Sequence, residues 1–107
     1  MRKNALDIVS AWLKRARRDL LAAEWQLRAA EPFTDIVCFH AQQAAEKYVE
    51  AYVTFQKVAL PRTHAVEDLV LLAAECDADF KALVDDAAVL TPCVVERRYP
   101  EFEQPSI

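Results

Sequence analysis

Glycine is absent from the 107 residues. Phosphate-cradling loops, the dinucleotide fingerprint and the nucleophile elbow each need a residue that tolerates positive φ or close backbone approach, so this one absence excludes all three. Long apolar runs are missing as well. None reaches the roughly 18 residues that span a bilayer, and the amino terminus lacks the uninterrupted apolar stretch of a signal peptide. A cytoplasmic protein that meets no membrane is the expectation. Cysteine is scarce and odd in number: Cys38, Cys76 and Cys93 have no CxxC spacing. They suggest neither a disulfide framework nor a zinc knuckle, and read as small core residues held reduced. The two histidines and the cysteines lie without ligand spacing, so no metal site and no cofactor are expected.

What is present is 54% apolar and 28% charged, enough for one compact domain over residues 1–107 with a thin core. The net charge of −4 is unevenly spread. Residues 1–18 hold Arg2, Lys3, Lys14, Arg15, Arg17 and Arg18 against Asp7 alone, a balance of +5, which leaves −9 for residues 19–107. An acidic body repels a polyanion, so binding of nucleic acid along the whole surface is excluded. The basic strip on the first helix reads as a small anion patch or as a solvated face.

Periodicity and proline divide the chain into four helices, about 5–30, 34–56, 64–76 and 79–98, with no strand pair. Val9, Leu13, Ala16, Leu20, Ala23, Leu27 and Ala30 repeat at spacings of four and three, which predicts a seam packed on a partner helix, with Pro32 ending it. Trp25 points away from that seam. Thr34 or Asp35 is expected to cap the second helix, Thr63 the third, and Asp77 or Asp79 to start the fourth. Pro92 is expected to break or bend that last helix, and Thr91 can cap a restart.

The second helix separates into two arcs. His40, Gln43, Lys47, Glu50 and Thr54 form one polar stripe with Glu46 at its margin, read as exposed. An apolar arc about 200° wide from Val37 to Phe55 makes this helix central, or faces it to a second subunit. Gln42 projects into the apolar arc and must bond a backbone carbonyl or a symmetry mate. His40, Gln43 and Lys47 could together donate to a phosphate or a base edge, although a plain wet face explains them too. His64 at a helix amino terminus suits an anion, and Arg97, Arg98 and Tyr99 combine two guanidiniums with a stackable ring. Cations at a helix carboxyl end are also stabilising in themselves.

The order "DLLAAEWQL", "FHAQQAAEKYVEAYV", "LPRTH" and "LTPCVVERRYP" resembles the HEPN family, named for higher-eukaryote and prokaryote nucleotide-binding domains, over roughly residues 10–100. The resemblance implies an all-α, up-and-down four-helix bundle, commonly a homodimer, often encoded beside a minimal nucleotidyltransferase in a toxin–antitoxin-like pair. It thus implies a nucleotide-binding and protein-interaction module. Some members are metal-independent ribonuclease toxins that use an Arg followed, after four to six residues, by a His. Here no His follows Arg97 or Arg98 at that spacing, so the proton transfer such cleavage needs lacks its residue. The expectation leans away from an enzyme, with a ribonuclease toxin or a pure dimerisation scaffold as the alternatives. Relatives of this type also continue past "RYP" into a further helix, so the final family helix is expected to be absent, truncated or supplied by a partner chain.

Overall fold

The computed structural model describes residues 4–63 and 65–98, with side chains described as far as Pro92. Helix α1 (Ala5–Leu27) opens with a capping box. Asn4 Oδ1 accepts from the Asp7 amide at 2.9 Å, and the Asp7 carboxylate accepts from the Asn4 amide at 3.2 Å. Two of the otherwise orphaned first-turn donors are thereby satisfied. The helix ends at Leu27 rather than near residue 30. Its last amides turn to i−3 acceptors, and Gln26 Oε1 accepts from the Phe33 amide at 3.0 Å, closing the bend before Pro32 is reached.

Helix α2 (Thr34–Phe55) has Phe33 at its N-cap position without a side-chain cap. Thr34 and Asp35 therefore lie inside the first turn, where the Asp35 charge complements the helix dipole. The helix closes with the Lys57 amide on Thr54 O at 2.9 Å and the Val58 amide on Val53 O at 3.2 Å. Lys57 takes φ 61° there. This is the usual glycine-ended helix stop, executed without glycine.

Helix α3 (Val66–Cys76) starts two residues later than expected, with Ala65 at the N-cap position. Thr63 Oγ1 supports the start by accepting from the Ala65 amide and donating to Asp68, both at 3.1 Å. A 3₁₀ segment, Ala78–Leu83, follows, with Asp77 Oδ1 accepting from the Asp79 amide at 3.0 Å. Helix α4 (Val84–Arg98) then runs through Pro92 without a restart. The expected cap is occupied elsewhere: Thr91 Oγ1 accepts from the Val66 amide at 3.0 Å and donates to Glu67 Oε2. Thr91 thus caps α3 across the fold instead of its own helix.

The result is the expected all-α bundle of four helices, with no strand among the described residues. Helix α2 is central, as the width of its apolar arc required. Helices α3 and α4 pack on one side of it, while α1 packs on α2 and on nothing else described. The core joins Val49 and Val53 of α2 to Val66, Leu69, Val70 and Ala73 of α3 and Ala87 of α4. Tyr52 and Phe80 stack over it with centroids 4.7 Å apart. None of the described helices is long and apolar enough to cross a membrane.

Two expectations about packing fail. In α1 the alanines Ala16 and Ala23 are buried against α2 as predicted, but Leu13, Leu20 and Leu27 are not. The half-buried positions beside the alanines are Trp12, Asp19, Ala22 and Gln26, because Asp19 is drawn to polar partners on α2. The cysteines are not uniformly reduced core residues either: Cys38 is disulfide-bonded, and Cys76 is free and exposed.

Candidate functional site

The polar residues of α2 meet α1 at Asp19. Antiparallel packing of the two helices sets the carboxylate between residues 21 and 28 positions further along the chain. His40 Nδ1 lies 2.9 Å from Asp19 Oδ1, and Lys47 Nζ donates to Asp19 Oδ2. The same ammonium donates to Gln43 Oε1 at 3.2 Å. From there the chain of bonds turns inward: Gln43 Nε2 donates to Gln42 Oε1 at 2.8 Å, and Gln42 Nε2 donates to Glu46 Oε2 at 2.9 Å. Six side chains are joined from the half-exposed His40 to the fully buried Gln42.

Burial raises the Asp19 pKa, but the hydrogen bonds from Lys47 and His40, with their charges, outweigh it and hold the carboxyl below its ordinary value. The arrangement is self-satisfying. No buried side-chain nitrogen or oxygen among the described residues lacks a partner, so the network costs little desolvation and holds α1 at one rotation on α2.

This geometry corrects the reading of the stripe as exposed. His40, Gln43, Lys47, Glu50 and Thr54 are all half-buried, and Glu46, placed at the wet margin, is buried. Gln42 is buried as expected, and the Gln43 and Glu46 side chains are among its partners. The structure brings His40, Gln43 and Lys47 together on Asp19, a residue that sequence reasoning missed. The available signal was a carboxylate between Ala16 and Ala23, at the level where the helices approach most closely. His64 and Tyr99 lie outside the described residues. Arg97 and Arg98 lie in α4, and their side chains are likewise outside them.

Two kinds of surface depression accompany the network. A cleft of about 370 Å³ between α2, α3, the 3₁₀ segment and α4 is walled by Tyr48, Val70, Phe80, Leu83 and Leu90, with Asp86 as the one charged lining residue among those described. An apolar cleft whose single charge is negative disfavours phosphate. Shallow grooves on α1 lie on either side of Trp25, and His40 lines one of them. No group of three or more His, Cys, Asp or Glu suited to a metal occurs among the described residues.

Comparison with known proteins bears on the same residues. No curated protein and no solved structure matches the chain. The family model described as HEPN domain matches residues 9–106, which takes in α1 from Val9 onward, with Asp19, and all of α2. Such domains are nucleotide-binding or ribonuclease-like helical modules. Nearly the whole chain is covered by that match, and it belongs to the HEPN domain family.

Proposed function

We propose that this chain is a nucleotide-binding and protein-interaction module that works as a homodimer beside a separate minimal nucleotidyltransferase, in a toxin–antitoxin-like pair. One observation carries the dimer. Leu6, Leu13, Leu20 and Leu27 follow one another at seven-residue intervals along α1 and are 65%, 43%, 40% and 62% exposed. Because α1 has α2 as its sole described neighbour, this row has no cover among the described residues. A leucine row of heptad spacing suits the same row of a second copy across a twofold axis.

In this reading Asp19, His40, Gln43 and Lys47 serve to hold α1 at the rotation that presents the leucines. Nucleotide contact falls to His64, Arg97, Arg98 and Tyr99, which offer cations and a stackable ring. RNA cleavage is left out because neither arginine is followed by a His at the required spacing.

Light scattering at micromolar concentration tests the dimer. The expected result is a dimer for the wild type and a monomer of unchanged helical content for the double variant Leu13→Glu, Leu20→Glu. A monomeric wild type would overturn it. Calorimetry with ATP and GTP and co-purification with the neighbouring transferase test the rest, and absence of both heat and partner would remove that part of the proposal.

A further inference from the structure

The face of α1 turned away from α2 is not used by any contact described so far. Lys14, Arg17, Arg18, Leu21 and Trp25 line a shallow groove of about 400 Å³ there. Trp25 is 70% exposed and also lines a second groove of about 320 Å³, shared with Gln26, Ile36 and His40. The indole therefore stands as a partition between the two. Helical geometry explains the grouping, since residues 14, 18, 21 and 25 are spaced by four, three and four and fall on one stripe.

Two observations separate this stripe from an ordinary solvated face. The side chains of Lys14, Arg17 and Arg18 enter no ion pair or hydrogen bond among the described residues, in a chain where acidic residues outnumber basic ones by 17 to 13. Trp25 is also left open, although an indole is normally among the better covered side chains.

We propose that this face binds single-stranded nucleic acid, with one base stacked on Trp25 and the adjoining phosphates held by Lys14, Arg17 and Arg18. The span from residue 14 to residue 25 is about 16 Å of helix, room for a few nucleotides of an extended strand. A duplex keeps its bases stacked inside and offers no ring face to the indole. An acidic polypeptide would satisfy the cations but leave Trp25 without a π-face, so the aromatic residue favours a nucleic acid. The remaining −9 over residues 19–107 confines the strand to this strip by repulsion. The site lies within one chain and needs neither a dimer nor a transferase. It goes beyond the function proposed above and stands or falls separately.

Fluorescence anisotropy of the full chain with short labelled oligouridine and oligothymidine tests the proposal. Both strands are expected to bind, a duplex of the same length more weakly. The log–log salt slope should be about −2, as three released counterions at about 0.7 each require. Trp25→Ala should weaken binding about tenfold, from loss of one stacked base, and Trp25→Phe should restore most of it. The double variant Arg17→Glu, Arg18→Glu should abolish binding. Lys81→Glu, a charge reversal on the exposed 3₁₀ segment that makes no contact with α1, should leave it nearly unchanged. The proposal is overturned if neither strand binds or if Trp25→Ala, folded by circular dichroism, binds like the wild type. It is equally overturned if Lys81→Glu does the same damage as the double variant, or if polyglutamate displaces the strand as readily as unlabelled oligouridine.

Discussion

Asp19 connects the two helices that carry the candidate site, and its chemistry can be read by titration. Its folded pKa is held below the ordinary value. The unfolded carboxyl titrates near about 4, so the stabilisation it supplies is complete above about pH 4 and is lost as acid protonates the folded group. Asp19→Asn should therefore cost about 1–3 kcal/mol in urea denaturation at neutral pH, the range for hydrogen bonds to charged groups. The gap between variant and wild type should close in strong acid; an equal gap at both pH values would mean that the charge is not what holds the helices. The sequence made half of this network legible. His40, Gln43 and Lys47 share one helix, and projecting that helix at 100° per residue groups them and sends Gln42 inward. Asp19 is brought in by tertiary packing alone. Glu46 is buried with a bond from Gln42, and no periodicity of the helix itself announces it.

Among the elements, the stop of α2 and the start of α3 show how the chain manages without glycine and without local caps. Lys57 holds a left-handed conformation that costs a residue with a Cβ about 1–2 kcal/mol. Lys57→Gly should accordingly raise stability by about 1 kcal/mol, measured as a higher urea midpoint at unchanged slope. The start of α3 depends on Thr91 from α4, so Thr91→Val should lower stability by about 1–2 kcal/mol, through loss of the acceptor for Val66 and the donor to Glu67. Thermal melts would show no shift if Thr91 acted on its own helix end only through local propensity. The four helices were legible because apolar periodicity and proline positions mark them independently of packing. The rotation of α1 was not. Alternating leucine and alanine predict a seam through Leu13 and Leu20, but the polar attachment of Asp19 turns the helix and leaves those leucines on the outside.

Across the whole molecule the consequence is an open shape. The chain measures 48 × 26 × 26 Å with a radius of gyration of 15.2 Å, against about 13 Å expected for a compact domain of this length. Small-angle scattering should return about 15 Å for the monomeric Leu13→Glu, Leu20→Glu variant; a value near 13 Å would mean that α1 folds back onto α3 or α4 in solution. The main apolar cluster lies between α2, α3 and α4, and of the described residues of α1 only Ala16 and Ala23 are buried, against α2.

Because α1 has α2 as its single described neighbour, it is expected to open as a unit while the other three helices stay closed. Its amides should then exchange with solvent deuterium through a low-energy opening of their own, well before those of Val53 or Leu69 in the core. Occupation of the leucine row by a second copy would slow that exchange, so protection of α1 would rise with protein concentration while protection of α3 would not.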